Sequence, residues 1–424
     1  VIPVARTGAA TPRRDGAPAS CILAVNAGSS SIKFTRFYAA TLVPGLSGRI
    51  ERIGVPGTSL TLAVGAAPGE VMPALARTDH AGAAAQLVEW LRERDPDNVL
   101  AAVGHRVVHG GPDYHATTLL TPAVVADLRR LTPMDPEHLP HEIALIELWM
   151  ARFPGVPQWA SFDTAFHHDL PQLARLLAIP RRYAAMGVRR YGFHGLSYEF
   201  LMGELGRSGG PRAAGGRVIL AHLGNGASLA AVRDGKPVDT SMAFTPAAGI
   251  PMGTRSGDLD PGLAWYLARL EGMDAGKFNH MVNFESGLLG VSGTSADMRD
   301  LLEREAVDPR AAEAVGMFCL AVRKCIGAFA AALGGLDTLV FSGGIGANSA
   351  LVRERACAEL GFLGIEIDAA QNRAGADTIS APGARVGVRV MDTDEELVIA
   401  RAVRQALDGG SAEPTQSTSR REKT

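Results

Sequence analysis

Two arginines stand where a casual charge is out of place. Arg106 lies in the run Gly104-His105-Arg106-Val107-Val108-His109-Gly110-Gly111, and Arg255 in Met252-Gly253-Thr254-Arg255-Ser256-Gly257-Asp258. A guanidinium stays charged and forks onto two oxygens, so a pair of them suits chemistry between a carboxylate and a phosphate. Each alone fits a structural ion pair equally well. His194 has Gly192 and Gly195 close by on either side, which lets a ligand approach the ring; a structural histidine is the ordinary alternative. Asp163 follows an apolar segment and sits between Phe162 and Phe166. It reads as a ligand to Mg²⁺ or water, as a base, or as a helix N-cap.

Three glycine-rich turns complete the set: residues 26–31, 222–228 and 342–346, each directly after an apolar run. Glycine lets successive backbone N–H groups converge on one anion. Singly each is an ordinary turn; three in one chain point to phosphate binding. None has the GxxxxGK[ST] spacing, and none has GxGxxG with a downstream acid, so Walker-type and dinucleotide-binding folds are excluded. Lys33 follows the first turn and is placed to reach a phosphate as a point charge, or to be a solvated strand lysine. His105, His109, His167, His168 and His222 match no metal-binding spacing. Glu395-Glu396 open a helical pattern, where acidic residues also suit the helix dipole.

The elements that must position these residues alternate between strand and helix. Residues 21–25 and 32–37 read as strands around the first turn, and residues 218–221 and 229–232 around the second, followed by a hairpin turn at residues 233–236. This is a weak internal duplication of one phosphate-binding hairpin. Residues 99–103, 159–162 and 338–341 read as further strands, and residues 142–153, 311–333, a segment from Asn348, and 395–407 as helices. The fold class expected is α/β with two similar lobes.

The chain has 424 residues and is 46% hydrophobic, enough for a large core. Its 42 basic and 44 acidic residues leave no global field for nucleic acid or an anionic membrane. The 49 glycines exceed the usual share of about 7%. Cys21, Cys319, Cys325 and Cys357 form no CxxC pair and suit a reducing cytoplasm. No apolar run reads as long enough to span a bilayer. Residues 1–20 and 408–424 read as disordered extensions.

Taken in order, these strings resemble the acetate kinase family over residues 21–407, with Asn26-Ala27-Gly28-Ser29-Ser30-Ser31-Ile32-Lys33, Phe162-Asp163-Thr164-Ala165-Phe166-His167, Arg190-Tyr191-Gly192-Phe193-His194-Gly195, Ser342-Gly343-Gly344-Ile345-Gly346 and Thr393-Asp394-Glu395-Glu396 among them. The resemblance implies an actin/hexokinase/Hsp70-type ATPase fold, two duplicated α/β lobes around a central nucleotide cleft. One lobe would span residues 21–163 and take back helix 395–407; the other would span 164–394. It implies transfer of the ATP γ-phosphate to acetate by in-line attack of the carboxylate, in a cytoplasmic homodimer. Asn26 and Glu395 would hold Mg²⁺, with Mn²⁺ as a substitute. Lys33 would bind ATP, as would His222, Leu223, Gly224, Asn225 and Gly226; Asp297, Met298 and Arg299; and Gly343, Gly344, Ile345, Gly346 and Ala347. Arg106 would bind the acyl substrate beside Val108, Phe193 and Pro246. His194 and Arg255 would stabilise the transition state, and Asp163 matches the family's acid/base. Two departures stand out: Ala347 replaces a glutamate, and Pro133-Met134-Asp135-Pro136 replaces Pro-Leu-His-Asn-Pro. The rival readings are a propionate or butyrate kinase, and an Hsp70- or actin-like ATP clamp without acid turnover.

Overall fold

The computed structural model describes residues 19–28, 31–54, 57–64, 70–71, 79–94, 98–209 and 211–409. The chain divides into two compact units. The first comprises residues 1–110, 116–162 and 395–424, the second residues 111–115 and 163–394. Each unit is built on one sheet.

The first sheet contains β1 (Ala19–Ala27), β2 (Ser31–Tyr38), β3 (Pro44–Glu51), β4 (Ser59–Val64), β5 (Glu70–Val71), β6 (Asn98–Val107), β7 (Thr118–Leu119) and β8 (Gln158–Phe162). Their spatial order is β5-β4-β3-β2-β1-β6-β8-β7. β1 is almost wholly buried because both of its faces are covered. Leu23, Val25 and Ala27 point into a core with Leu87 and Val88 of helix His80–Arg94 and with Leu145 and Trp149 of helix Leu139–Arg152. The alternate residues face helix Glu395–Asp408, which packs on β1 and β6. Gly104 permits that approach: a Cβ there would lie 2.4 Å from Cγ2 of Ile399.

The second sheet contains β9 (Arg217–Leu223), β10 (Ala227–Arg233), β11 (Lys236–Thr240), β12 (Thr338–Ser342) and β13 (Gly387–Val390), in the order β11-β10-β9-β12-β13. Val218, Leu220, Ala230, Val232 and Val340 form a core with Tyr198, Leu201 and Leu205 of helix Gly195–Gly209. Helix Pro309–Leu333 packs against β9, β10 and β11. The β10–β11 turn takes positive φ at Asp234 and Gly235, the arrangement a two-residue hairpin favours.

The two sheets share one plan. In β3-β2-β1-β6-β8 and in β11-β10-β9-β12-β13, three antiparallel strands are followed by two parallel to the last of them. This is the α/β architecture of the actin/hexokinase-type ATPase fold.

Several expectations need correction. Helix Pro309–Leu333 is, by length and composition, long and apolar enough to cross a membrane. However, its residues Ala314, Phe318, Val322, Ile326 and Phe329 are buried within its own unit. The helix expected from Asn348 begins earlier, as a short helix Gly343–Asn348 that includes the glycine turn, and a second helix, Ala350–Cys357, follows. The helix expected from Glu142 starts at Leu139. Strand β1 already includes Ala19 and Ser20, so only residues 1–18 of the expected N-terminal extension remain, and these lie outside the described residues. So do residues 410–424 of the C-terminal extension, and Ser29 and Ser30 in the first turn.

Candidate active site

In the first unit, strand alternation turns Asn26, at the end of β1, toward the start of helix Glu395–Asp408. Its amide Nδ2 donates to Glu395 Oε2 at 2.8 Å and to Glu396 Oε1 at 3.1 Å. The two expected metal residues are thus together, and Glu396 joins them. The Glu395-Glu396 doublet was visible in the sequence, but its second member was read only as a dipole residue. Burial, then the neighbouring Glu395 charge, pushes the Glu396 carboxyl above its ordinary value, while Lys33 opposes the shift. Lys33 is the cross-strand partner of Asn26 and is exposed. One amide oxygen and two carboxylates are the hard oxygen donors that Mg²⁺ prefers, so the residues present fit that ion. Among the described residues, no group of three or more His, Cys, Asp or Glu side chains is arranged to hold a metal.

Arg106 ends β6. Its Nη1 donates to Ala27 O at 3.0 Å and to Glu142 Oε1 at 3.1 Å. Glu142 Oε2 accepts from the Val108 amide at 2.9 Å. One buried carboxylate therefore fixes both expected substrate residues of this unit. Glu142 escaped the sequence reading because it lies 36 residues from Arg106 and inside an apolar helix pattern. Val108 is buried.

In the second unit, His194 precedes helix Gly195–Gly209 with φ of +58°, the left-handed region that side chains seldom adopt. Gly195 is required behind it: its amide donates to Asp163 O at 2.9 Å, and a Cβ would lie 2.1 Å from that oxygen. Asp163 is buried at this junction. Nδ1 of His194 meets Ser228 Oγ at 2.9 Å, and the Tyr198 hydroxyl meets the same oxygen at 2.5 Å. Burial raises the Tyr198 phenol, so it stays protonated. Ser228 Oγ thus links the Tyr198 hydroxyl to His194 Nδ1, which leaves Nε2 on the other edge of the ring. The His194 ring stacks on His222 at 4.4 Å.

Gly226 brings the expected catalytic groups together. A Cβ at this position would meet His194 Nε2 at 3.3 Å and Arg255 Nη1 at 3.4 Å. Arg255 Nη1 donates to Pro246 O at 3.3 Å. Phe193 is buried, and its carbonyl accepts from His167 Nε2 at 3.1 Å. Burial lowers His167 to about 4, so it stays neutral.

The second and third glycine turns pack on each other. Gly343 has φ of +76°, and a Cβ there would lie 2.6 Å from Leu223 O; a Cβ at Gly224 would lie 3.8 Å from the Gly344 amide. The Gly253 amide donates to Asn225 O at 3.0 Å, which ties the Arg255 loop to residues 222–226. A Cβ at Gly253 would also meet Ala296 O at 3.2 Å, so the segment with Asp297, Met298 and Arg299 adjoins this loop. Asp297 caps its helix through the Arg299 amide and pairs with the Arg299 guanidinium; Met298 is buried. The carbonyls of Gly346 and Ala347 both accept from Arg353 Nη1 at 2.8 Å, and Arg353 also grips Asn372. Arg353 is fully buried and is a second residue the sequence reading missed. Ile345 lies on the same short helix.

A profile described as the acetokinase family matches residues 21–401. An acetate kinase of Rhodopseudomonas palustris is 43% identical over 92% of this chain and 99% of its own. A propionate kinase of Citrobacter rodentium is 42% identical over 90% of this chain and 96% of its own. The crystal structure of Porphyromonas gingivalis acetate kinase superposes with a TM-score of 0.81 at 36% identity, covering 92% of this chain and all of that one. The chain therefore belongs to the acetokinase family, whose kinases phosphorylate a carboxyl group.

Proposed function

We propose that this protein transfers the γ-phosphoryl group of ATP reversibly to acetate, giving acetyl phosphate and ADP. The observation that supports this most directly is the convergence of His194 Nε2 and Arg255 Nη1 on Gly226, in a loop packed against the Gly343 turn. An imidazole and a guanidinium beside one position suit the equatorial oxygens of a phosphoryl group in transfer, where charge spreads as bonds loosen. Residues 222–226, 297–299 and 343–347 offer the nucleotide its backbone cradle, and Lys33 adds a point charge.

Arg106, held by Glu142, pairs with the acid's carboxylate, and Val108, Phe193 and Pro246 are assigned to its alkyl end. A short-chain acid is already ionised at neutral pH, so the attack needs no general base. Asp163 accordingly orients a water or cation ligand. Asn26, Glu395 and Glu396 hold Mg²⁺. When bound, the ion neutralises charge on the β- and γ-phosphates. The lobes are assigned as residues 21–163 with 395–407, and 164–394.

The protein works as a homodimer in the cytoplasm. Helix Gly262–Glu271 has no buried residue and exposes Trp265, Tyr266 and Leu270, a face suited to a second copy. Propionate is the second candidate acid, because a propionate kinase matches at nearly the same identity as an acetate kinase. Trapping acyl phosphate with hydroxylamine, in ATP, Mg²⁺ and a panel of short acids, tests the reading. Acetyl hydroxamate is the expected product. Bound ATP with no hydroxamate from any acid would replace the kinase by an ATP clamp.

A further inference from the structure

Two strands and one helix meet at the His194 ring. Ser228 on β10 is the direct cross-strand partner of His222 on β9. His222 stacks on the face of the ring, with centroids 4.4 Å apart, and Ser228 Oγ meets its Nδ1 at 2.9 Å. Tyr198 lies one helical turn after His194, and its amide donates to the His194 carbonyl at 3.0 Å. That spacing sets both side chains on one face of helix Gly195–Gly209. The Tyr198 hydroxyl therefore reaches the same Ser228 oxygen, at 2.5 Å. Nε2 is on the opposite edge of the ring, 3.3 Å from the place a Cβ on Gly226 would take, and Arg255 Nη1 is 3.4 Å from that place.

Tyr198 and Ser228 are both wholly buried. The phenol ring stands edge-on to His167 at 5.6 Å and tilted against Phe166 at 5.8 Å, so close packing leaves its hydroxyl little freedom. Burial outweighs the Ser228 hydrogen bond and keeps the phenol protonated, so it holds the serine as a neutral group. His194, with φ of +58°, has a conformation that persists only where its surroundings fix it.

We infer that Tyr198 and Ser228 are positioning residues of the phosphoryl site: the phenol fixes the Ser228 hydroxyl, and that hydroxyl fixes the turn of the His194 imidazole so that Nε2 faces the group in transfer. This rests on the carboxylate-kinase reading above and adds to it two residues that act through His194. The competing account is that Tyr198 only fills the core against β9 and β10, where the loss of its hydroxyl would alter stability and leave turnover alone. The two accounts separate in the rate, because a misplacement of about 1 Å in a group that meets the transition state costs up to about 10²-fold.

The test is a double-mutant cycle of Tyr198→Phe and Ser228→Ala, with acyl phosphate trapped by hydroxylamine and kcat and both KM values measured for acetate and ATP. Each single substitution is expected to lower kcat at least about tenfold and to leave both KM values within about twofold of the wild type. The double variant is expected to be no slower than Ser228→Ala, because the phenol then has nothing left to act through. Tyr198→Phe removes one oxygen and keeps the ring against His167, so its kcat decides the matter alone if Ser228→Ala folds poorly. An unchanged kcat in Tyr198→Phe, a raised KM with kcat intact, or losses that multiply in the double variant would each overturn the inference and leave the kinase standing. No hydroxamate from the wild type with any short acid sinks both.

Discussion

The two sheets follow one strand plan but end in different chemistry. Where β1 and β6 end, side chains do the work: Asn26 reaches Glu395 and Glu396, and Arg106 reaches Glu142. Where β9 and β12 end, backbone does: residues 223–227 turn through Gly224 and Gly226, and Gly343 takes a left-handed conformation against Leu223 O. The difference follows from what each hairpin turn holds. Side-chain oxygens and a guanidinium suit a cation and a carboxylate. Converging amides suit the phosphates of a nucleotide, which are larger and carry no single fixed charge centre. The two sheets share one scaffold plan, and on the proposed function the residues at strand ends set the division of labour.

The largest effect expected from breaking this division is at the phosphoryl end. Arg255→Ala should lower kcat by about 10²–10³ or more while ATP affinity changes little, measured by steady-state kinetics beside calorimetric ATP titration. Loss of ATP affinity with kcat intact would move Arg255 out of the transition state. Gly343→Ala should do the reverse. With φ of +76° and a Cβ only 2.6 Å from Leu223 O, it must displace the turn, so ATP affinity and stability fall together.

Removing Arg353 should be nearly as damaging, for stability. Arg353→Met leaves the Gly346 and Ala347 carbonyls and Asn372 without their buried donor, at a cost of about 1–3 kcal/mol for each acceptor left bare, visible in denaturant unfolding. At the carboxylate end, Glu142→Gln should raise KM for the acid about tenfold and leave KM for ATP unmoved. Equal rises in both would make Glu142 merely structural.

The smallest effect sharpens the metal assignment. Burial and Glu395 raise the Glu396 pKa, so the folded protein binds more protons than the unfolded chain between the ordinary value and the raised one. Glu396 therefore destabilises the metal-free fold increasingly as pH rises through that window. Without metal, Glu396→Gln should raise Tm at pH 8 and lose that advantage near pH 4. A gain of equal size at both pH values would rule out charge as the cause.

Both hairpins were legible in the sequence, because small-residue turns between apolar runs leave few alternatives. Arg106, His194, Arg255 and the glycine turns stood out through residue type in their setting, and Asn26 through the family resemblance. The missed residues share a different property. Glu142 and Arg353 sit in helices, where a charged residue looks like a solvated face until the partner 36 residues away, or the carbonyls of the preceding helix, come into view. The helix Gly343–Asn348 was missed because glycine is a poor helix former, and tertiary anchoring by Arg353 overrides that propensity. Helix Pro309–Leu333 reaches bilayer length although Arg323 and Lys324 interrupt its apolar runs, and those interruptions hid it in the sequence.

The division of labour between the two sheets is tested most directly by Arg106→Ala, with trapped acyl phosphate and ATP dissociation constant measured on the same preparation. The account predicts that acetyl hydroxamate falls by at least about a hundredfold while ATP binds within about threefold of the wild type. Hydroxamate formation that persists, or ATP affinity that collapses with it, would contradict the assignment of the carboxylate to the first sheet.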